Sequence, residues 1–567
     1  MSNIVECDVL VVGSGAGGLA TAVAAQARQL SVILVEKTEW VGGTTALSGG
    51  FLWVPNNPIS KADGVQDNIE EARTYLQHEA GNHFNAENVD TFLLQGPEAI
   101  EFFEKKTAVR FEAASAFSDY HPNAPGGRSG GRSIKAVPYR AQGLGKQLKR
   151  LRPPLPELTF LGLMIGSGPE LRHFYNVTRS ARSAAYVAGR LLSHARDLAV
   201  HGRGMLLTNG NALAARLFRS ALDLGVQVWT NSPAVRLIRQ DQVVTGAVVR
   251  TPRGEVHVRA RRGVVLAAGG FPQDMPRRRV MFPHDRDNTG HHSPAPSTNT
   301  GDGLRLGEEI GAQVQLGYPN AAAWVPVSRV PRRKGGFGVF PHFIDRAKPG
   351  LIAVLSDGKR FVNEANSYHD FCQALIAASG TAVVRAFLVV DRPFLNRFGL
   401  GFVKPFPVPV GPNIRSGYLK CGSSVAELAR SAGIDVAGLE KTIAEWNADV
   451  NRGEDRAFGK GSTAYNRFNG DEEFKPNPCL APIAVAPFYA LEVVIGDLGT
   501  FAGLQTDQNC RVLDTKGVPI AGLYATGNDM ASIMGGNYPG GGITLGPALT
   551  FGYVAAKHLA HSSRSNG

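Results

Sequence analysis

The feature that most constrains the fold is a glycine-rich turn between an apolar strand and an alanine-rich helix near the N-terminus. The stretch CDVLVVGSGAGGLATAVAAQA begins with apolar residues 7–12, turns at GSGAGG (13–18) and continues as a helix. A second apolar strand, LSVILVEK, follows and ends with the acid Glu36. This order of strand, GxGxxG turn, helix, strand and acid is the unit that binds a dinucleotide. It predicts an α/β fold built on a split Rossmann-like domain.

The residues of the turn have separate roles in such a unit. Gly13 makes the turn, Gly15 lets a pyrophosphate approach the backbone, and Gly18 lets the helix pack closely on the strand. Glu36 is predicted to bind the ribose hydroxyls. The cofactor-binding residues predicted in this first unit are Gly13, Ser14, Gly15, Ala16, Gly17, Gly18, Glu36 and Lys37.

The dinucleotide is predicted to be FAD rather than NAD, because a second loop follows Glu36. This loop, WVGGTTALSGG, offers the glycines and hydroxyls that the ribityl-pyrophosphate of a flavin needs. Residues 231–238, 262–271 and 517–529 are predicted to be further strands and turns of the same domain. The predicted FAD contacts in these and neighbouring segments are Gly43, Thr44, Thr45, Ser48, Gly49, Gly50, Val235, Ala268, Gly269, Asp302, Gly527, Asn528, Gly542, Thr544 and Leu545.

The parts of the FAD-binding domain lie early and late in the chain, so an inserted domain is predicted between them. We expect the FAD-binding domain at 1–325, an inserted α+β catalytic (capping) domain at 326–485, and the last part of the FAD-binding domain at 486–567. A basic helical excursion at about 143–200 interrupts the first part. We expect it to be a cover over the active site or an oligomer contact; a membrane-interface patch is the alternative.

Composition narrows the classes of partner. The chain has 567 residues, of which 60 are Lys or Arg and 48 are Asp or Glu, giving a net charge of +12. This excess allows an anionic cofactor, an acidic substrate or a membrane surface. The basic residues are dispersed, without an aromatic–basic motif, so nucleic acid is not an expected partner. No uninterrupted apolar run is long enough for a transmembrane helix, and the N-terminus is interpreted as a strand rather than a signal peptide.

Cysteine and histidine patterns argue against disulfides and metals. The five cysteines are scattered, which predicts a reducing, cytoplasmic location, with membrane association as the alternative. His291 and His292 lack a third ligand at a suitable spacing, so we expect no metal site and interpret their loop as one that leads to the flavin. Asp302 is predicted to be a helix N-cap, and the tail 562–567 is predicted to be disordered.

The sequence resembles the FAD-dependent fumarate reductase/succinate dehydrogenase superfamily and, within it, the 3-ketosteroid Δ1-dehydrogenases. The resemblance covers nearly the whole chain, including VVGSGAGGLATAVAA, VEKTEWVGGTTALSGG, LAAGGF, TNTGDGLRLGEEIGA, GLYATGN and YPGGGITLGPALTFGYVAA. Members that hold FAD covalently carry a histidine in the loop that here reads VGGTTALSGG, so FAD is expected to be bound non-covalently. The arginine–histidine pairing of fumarate reductases has no counterpart that we can place.

Three segments resemble the catalytic motifs of the ketosteroid enzymes, namely SDYHPNAPGGRSGGRS, DGKRFVNEANSYHDF and NYPGGG. The resemblance implies that Tyr368 removes an α proton with support from Tyr120, and that the Tyr538 hydroxyl and the Gly542 N–H form an oxyanion hole. The paired tyrosines of the family are Tyr120 and His121 here, so His121 is the alternative assistant. The YPGGG segment also departs from the family's Y-x-G-x-G pattern, which affects the expected pocket shape.

The resemblance implies a dehydrogenase that introduces a double bond α,β to a ring ketone, as in 3-ketosteroid Δ1-dehydrogenation. The alternatives are a desaturase of a smaller ring ketone, of the cyclohexanone or oxocyclohexane carboxylate type, and an alkene reductase of the fumarate reductase type. A flavoprotein that only binds a partner leaves the tyrosine–glycine segment unexplained. The expected partners are a small cyclic ketone and an electron acceptor. Tyr489 is predicted to be a core residue on a strand that re-enters the FAD-binding domain.

Overall fold

The computed structural model describes residues 3–287, 289–380 and 383–561; the tail 562–567, for which disorder is predicted, lies outside these residues. The strands are β1 (Asn3–Val12), β2 (Val32–Val35), β3 (Phe51–Trp53), β4 (Phe111–Ala113), β5 (Ser133–Ala136), β6 (Tyr139–Arg140), β7 (Leu206–Leu207), β8 (Gln227–Trp229), β9 (Ala234–Gln240), β10 (Val243–Thr251), β11 (Gly254–Leu266), β12 (Ala322–Pro331), β13 (Phe337–Pro341), β14 (Leu351–Val354), β15 (Arg385–Asp391), β16 (Lys420–Gly422), β17 (Phe488–Thr500), β18 (Arg511–Leu513) and β19 (Pro519–Ala525).

The α-helices are α1 (Ala16–Gln26), α2 (Pro58–Ala62), α3 (Ile69–Ala80), α4 (Ala86–Lys106), α5 (Pro169–Tyr175), α6 (Ala181–His201), α7 (Asn209–Asp223), α8 (Met275–Met281), α9 (Asp302–Glu308), α10 (Tyr368–Ser379), α11 (Arg392–Phe398), α12 (Gly411–Arg415), α13 (Val425–Ala432), α14 (Val436–Arg452), α15 (Ala464–Asn469) and α16 (Leu545–His561). Short 3-10 turns lie between them, among them Gly43–Leu47 in the second predicted FAD loop.

The first sheet of the described residues has eight strands and forms the nucleotide-binding part of the fold. Its main order is β18-β19-β11-β1-β2-β8, and β10 and β9 extend it from β11. β1 is parallel to both β2 and β11, and its residues 9–12 are buried. Helix α1 supplies the crossover that a parallel connection from β1 to β2 needs. The strand, turn and helix predicted at the N-terminus are therefore present, and the α/β fold class is confirmed.

The second sheet carries the inserted part of the chain. Within the described residues it has the order β13-β12-β17-β15-β14, with β16 paired to β17, and its strand pairs are antiparallel. Helices α13 and α14 lie against this sheet, where Trp446 packs with Ile352 and Phe387 in a separate apolar cluster. A three-stranded sheet, β3-β5-β4, and the pair β6-β7 complete the strands described.

The expected boundary at 485 stays a prediction, and the strand that follows it, β17, belongs to the second sheet. β17 pairs with β12, β15 and β16, so the chain stays in the second sheet until Thr500. Tyr489 is a buried residue of this sheet, as a core role requires, but it does not re-enter the nucleotide-binding sheet. The reason is that a 13-residue strand with mostly buried positions has the same apolar pattern as a strand of a parallel sheet.

The basic excursion packs against the inserted part of the chain. The Tyr175 ring lies 5.7 Å from the Phe398 ring, and Arg172 forms a 3.2 Å ion pair with Glu472. Arg179 pairs with Glu473 at 2.8 Å. The cover over the active site and the oligomer contact both stay predictions. No helix in the part of the chain that the structure describes has the length and hydropathy to span a membrane.

Candidate active site

A cavity at the carboxyl end of β1 brings together the turn, the second loop and the late segments. Its lining includes most of the residues that the sequence predicts as FAD contacts. These are Gly13, Ser14, Gly15, Ala16, Gly17, Glu36, Lys37, Gly43, Thr44, Thr45, Ser48, Ala268, Gly269, Asp302, Gly527, Asn528, Thr544 and Leu545. Segments more than 500 residues apart along the chain thus meet at one site, since Gly13 and Thr544 both line it.

The cavity fits a dinucleotide at the backbone level. A Cβ added to Gly15 would meet nothing closer than Thr45 Oγ1 at 3.8 Å, so the backbone here is open to a ligand. The turn also precedes the N-terminus of α1, whose unpaired N–H groups favour a pyrophosphate. Arg152 adds a cation to the lining, and its buried Nε has no hydrogen-bond partner among the described residues. These features leave donors for an anionic cofactor.

Glu36 occupies the position expected for ribose recognition. Its carboxylate is buried and accepts hydrogen bonds from Ser14 Oγ at 2.5 Å and from Thr38 N at 2.9 Å. These donors fix the carboxylate at the end of β2 and hold it against the turn. The ribose hydroxyls would therefore bind a carboxylate that is already oriented.

Some predicted FAD residues serve the packing around the cavity and do not line it. Gly18 packs α1 onto the turn, because a Cβ there would meet Gly13 O at 2.0 Å. Gly50 has φ +72 and abuts the backbone of Asn209. Gly49, Val235 and Gly542 are also absent from the lining, although Ala234, next to Val235, belongs to it.

Asp302 is not the N-cap of α9. Gly301 holds that position, and Asp302 is the first residue of the helix. Its carboxylate forms a 2.7 Å ion pair with Lys37 Nζ at the cavity wall. The sequence therefore predicted the start of the helix within one residue. The Asp302 carboxylate, however, pairs with Lys37, which follows β2, and does not cap α9.

The cavity lining also includes residues that the sequence did not predict as FAD contacts, among them Arg152, Ser232, Pro233, Thr298, Asn299, Leu498 and Ala548. Thr298 and Asn299 lie in the loop of His291, so this loop does reach the cavity. His291 itself is buried, with Nε2 2.7 Å from Asp497 and Nδ1 3.0 Å from His284. No group of three metal-binding side chains occurs in the described residues. The TNTGDG motif could have pointed to Thr298 and Asn299 as part of the site. The sequence around Arg152 contains no motif from which its place in the lining could be predicted.

Three tyrosines from three distant segments form a cluster beside the cavity. Tyr120 Oη donates to Tyr368 Oη at 3.0 Å. The Tyr538 ring stacks on Tyr120 at 5.4 Å and meets the edge of Tyr368 at 5.0 Å. Tyr538 also hydrogen-bonds Thr544, a residue of the cavity lining. The predicted catalytic tyrosines therefore lie together and adjoin the predicted FAD site.

Local structure fixes each of these tyrosines. Tyr368 is the first residue of α10, which is capped by Ser367. The backbone N–H of Tyr120 donates to the carbonyl of Pro539 at 2.9 Å, so the segment of Tyr120 is bonded to that of Tyr538. Tyr465 is a further member that the sequence did not reveal, with its ring 4.6 Å from that of Tyr120.

Burial dominates the acidity of the cluster. It raises the pKa of Tyr368 well above 10, and the neighbouring Tyr120 and Tyr538 add to the rise. Burial likewise raises the pKa of Tyr120 well above 10, against the Tyr368 hydrogen bond and the Arg346 cation. The pKa of Tyr538 rises to about 12 through burial, although hydrogen bonds to Tyr368 and Thr544 lower it. All three groups are neutral phenols at physiological pH.

The glycines after Tyr538 are required by close packing. A Cβ on Gly540 would meet Trp53 at 2.6 Å, and one on Gly541 would meet Phe117 at 2.3 Å. Gly542 has φ +103, and a Cβ there would meet the carbonyl carbon of Phe51 at 2.5 Å. The glycine run thus lets the segment that precedes α16 lie directly on β3 and on the aromatic rings beside Tyr120.

His121 points away from the tyrosine hydroxyls. Its Nδ1 lies 2.9 Å from Glu79 Oε2 and its Nε2 2.9 Å from Asp370 Oδ2. Of the two candidates for assisting Tyr368, Tyr120 is therefore the one whose side chain contacts it.

Comparisons with known proteins identify the family of the chain and its cofactor. A family described as FAD binding domain matches residues 8–545, so the chain belongs to this class of flavoproteins, and FAD is its cofactor. More narrowly, it belongs to the 3-ketosteroid Δ1-dehydrogenase family. It is an FAD-dependent oxidoreductase that acts on CH–CH bonds.

Two relatives and one solved structure show the range of this family. The chain is 42% identical to the 4-oxocyclohex-2-ene-1-carboxylate 5-dehydrogenase of Sinomonas cyclohexanicum, over 100% of this chain and 96% of that protein. It is 36% identical to a 3-oxosteroid 1-dehydrogenase of Mycobacterium tuberculosis, over 98% of this chain and 99% of that protein. The 3-ketosteroid Δ1-dehydrogenase of Sterolibacterium denitrificans, solved with 1,4-androstadiene-3,17-dione, superposes with a TM-score of 0.90 at 35% identity, covering 98% of this chain and 100% of that one.

Proposed function

We propose that the protein introduces a C=C bond next to the carbonyl of a six-membered ring ketone, with the tyrosine cluster as its catalytic centre. The observation that carries the proposal is the contact of Tyr538 with both Tyr368 and Thr544, because it joins the cluster to the FAD cavity. A ketone bound there lies between phenol groups on one side and the cofactor on the other.

In the proposed reaction the ketone loses a proton from its α carbon and a hydride from its β carbon, and a C=C bond forms between them. Bound FAD supplies the acceptor for the hydride and its electron pair. The Tyr538 hydroxyl and the Gly542 N–H donate to the carbonyl oxygen, which gains negative charge as the α proton leaves. Donors fixed by the packing of the glycine segment stabilise this charge without rearrangement.

Tyr368 is the proposed base for the α proton. Because burial raises its pKa, its phenolate is rare, and the reaction needs a donor that stabilises this form. Tyr120 is the proposed donor: its hydroxyl donates to Tyr368 Oη across 3.0 Å, and it can stabilise a phenolate there only while Tyr120 itself stays neutral, as its raised pKa ensures. The Arg346 guanidinium, which is fully buried and bonded to backbone carbonyls of Glu364 and Asn366, adds positive charge near the pair.

We propose a monocyclic keto acid as the substrate. The relative at 42% identity is named for 4-oxocyclohex-2-ene-1-carboxylate. Aromatic rings also crowd the cluster: Phe117 lies 6.3 Å from Tyr120 and 5.3 Å from Phe468, and Tyr465 lies on the other side. This packing favours one ring over four fused rings. A 3-ketosteroid is the second candidate, supported by the TM-score of 0.90 with an enzyme solved with a steroid.

The test is anaerobic mixing of the purified holoenzyme with 4-oxocyclohex-2-ene-1-carboxylate, 4-androstenedione and cyclohexanone in separate experiments. Flavin absorbance in the visible band reports reduction, and product analysis reports the new double bond. We expect rapid bleaching by the keto acid. Bleaching by the steroid alone would move the substrate while keeping the reaction. If no ketone bleaches the flavin and fumarate reoxidises chemically reduced enzyme, the proposed direction is wrong.

The binding mode of FAD is proposed to be non-covalent. The residues that line the cavity, all within the described ranges, include no histidine, cysteine or tyrosine that could attach the flavin. Precipitation of the protein with acid should therefore leave all of the yellow colour in the supernatant. Colour retained in the pellet after unfolding would contradict non-covalent binding.

A further inference from the structure

Glu79, His121 and Asp370 form a hydrogen-bonded row at the edge of the tyrosine cluster. The two contacts of His121 are both 2.9 Å long, and its side chain is 34% exposed, against 6% for Glu79 and 23% for Asp370. Burial lowers the pKa of His121, but the hydrogen bonds and charges of Asp370 and Glu79 raise it to about 10. The ring is therefore an imidazolium whose two N–H groups both donate to carboxylates. It has no free nitrogen with which to accept a proton from a substrate.

The row ties together the two segments that carry the proposed base and its assistant. His121 directly follows Tyr120, and Asp370 lies in the first turn of α10, which Tyr368 begins. The Asp370 carboxylate forms its ion pair with His121 and is also hydrogen-bonded by the side chain of Ser367, the N-cap of α10. The imidazolium thus bridges the chain segments of the two tyrosines, in addition to the contact between their hydroxyls.

The third catalytic segment is attached through α3. The Glu79 carbonyl accepts a hydrogen bond from Asn537 Nδ2, next to Tyr538. One turn earlier, Tyr75 Oη donates to Pro539 O at 2.6 Å and accepts from the His121 N–H at 3.2 Å. The C-terminal end of α3 therefore holds the segments of Tyr120 and Tyr538 directly, and His121 links it to the segment of Tyr368.

We propose that His121 is a positioning residue, which through Glu79 and Asp370 holds Tyr120 and Tyr368 in the geometry that proton abstraction requires. Exposed ion pairs contribute little to stability, but a bridge between two reacting groups acts on their alignment. A misplacement of about 1 Å at a reacting centre costs about 100-fold in rate. The tyrosine that the family motif places here has no charge, so this device is particular to a chain with histidine at 121.

The charged and titratable groups that face His121 determine the pH at which its role can be tested. Glu79 approaches from α3 and Asp370 from α10, while the pKa of the buried His369 on α10 is lowered to about 4 by burial, with a further lowering by the charge of His121. At pH 7.5 only His121 of the two histidines is charged, so neutral replacements of His121 remove one positive charge between two carboxylates.

The first experiment rests on the proposed function and compares His121→Gln with His78→Gln, a matched control on the exposed side of α3. Holoenzyme is mixed anaerobically at pH 7.5 with 4-oxocyclohex-2-ene-1-carboxylate, unlabelled or deuterated at the α or the β carbon. We expect H121Q to reduce its flavin about 10- to 100-fold more slowly. The α-deuterium isotope effect should rise relative to the β effect, because proton removal alone is impaired. H78Q should match the unchanged protein.

A uniform loss of folded protein would lower the FAD content without altering the isotope effects, and FAD content is measured for each variant. If H121Q does not retain FAD, Asp370→Asn tests the same bridge from the other end. The double variant should be no slower than the slower single one, since one broken link already releases the segment. Flavin reduction at the unchanged rate and with unchanged isotope effects in H121Q would overturn the proposal.

A second measurement does not depend on the substrate. In a crystal structure of H121Q holoenzyme, the Tyr120 Oη to Tyr368 Oη distance should lengthen from the present 3.0 Å to beyond hydrogen-bonding range. The same distance in H121Q as in the unchanged protein would overturn the positioning role. If instead no ketone reduces even the unchanged enzyme, the proposed function fails while this structural result still decides the role of His121.

Discussion

The FAD cavity and the tyrosine cluster are neighbours, but they are built in opposite ways. The cavity is formed largely by backbone, with the turn at 13–18 and the loop at 43–48 contributing most of its glycines. The cluster is formed by side chains, since Tyr120, Tyr368 and Tyr538 meet through their rings and their hydroxyl groups. Binding of the cofactor should therefore depend on space along the backbone, whereas the chemistry should depend on single functional groups.

Tyr368→Phe gives the largest expected effect and separates the two regions. Loss of the proposed base should lower the rate constant of flavin reduction by about 100- to 10,000-fold, while FAD content stays unchanged because Tyr368 does not line the cavity. Anaerobic stopped-flow measurement with the keto acid checks this.

The matched control for Tyr368→Phe is Tyr489→Phe, which removes the hydroxyl of a buried tyrosine of β17 outside the cluster. Tyr489→Phe should reduce its flavin at the unchanged rate. Equal rates in Tyr368→Phe and the unchanged enzyme would exclude Tyr368 as the base and separate the cluster from the chemistry.

Tyr538→Phe should have the next largest effect. Removing one donor of the proposed oxyanion hole is expected to slow flavin reduction by about 100- to 1000-fold. Because Tyr538 bonds Thr544 in the cavity lining, this variant also tests how independent the two regions are. A large fall in FAD affinity together with the fall in rate, measured by fluorescence titration, would show that they are coupled.

Gly15→Ala tests the cavity from the other side. The new methyl group would project into the space that the pyrophosphate needs, since its nearest neighbour is 3.8 Å away. Overpacking of this kind costs about 1–3 kcal/mol, so FAD should bind about 5- to 150-fold more weakly. Gly189→Ala, on α6 with no atom within 4 Å of the added methyl group, is the control that should bind FAD normally. Unchanged affinity in Gly15→Ala would place the pyrophosphate elsewhere.

The pH dependence is a small effect over any one pH unit, and it reports on the cluster alone. Because burial raises the pKa of Tyr368 above 10, its phenolate fraction increases with pH, and the rate of flavin reduction should rise about tenfold per pH unit from pH 6 to 9. Tyr120, Tyr465 and Tyr538 stay protonated over this range, and His121 stays charged because its pKa is about 10. An inflection near pH 6.5 would instead indicate a histidine base.

The same contrast explains what the sequence could predict. The turn, β1, α1, β2 and Glu36 are consecutive, so local pattern specified them and most of the FAD contacts that follow. Arg152 and Leu498 could not be found in this way, because each reaches the cavity from an element without a nucleotide-binding pattern. The sheet that β17 joins could not be predicted either, because β17 is buried along most of its length and pairing partners far along the chain decide which sheet such a strand joins.

For the cluster, residue types were predictable and partners were not. The resemblance in three short motifs pointed to Tyr120, Tyr368 and Tyr538, but only the folded chain shows that Tyr120, and not His121, contacts Tyr368. Tyr465 lies in a segment without a motif and joins the cluster through α15. Side-chain direction depends on tertiary packing, which one sequence does not encode in a short window.

β17 also has a consequence for recombining this protein with its relatives. The strand spans the second sheet from Phe488 and, near its end, contributes Leu498 to the FAD cavity. Consider a chimera in which the inserted part of the chain, up to residue 485, is exchanged for that of a relative. Its β17 would come from this protein, whereas the neighbouring strands β12 and β15 would come from the relative. A crossover point after Thr500 would transfer the whole second sheet, including β17, from one parent. Substrate specificity could then be exchanged between family members as a single segment.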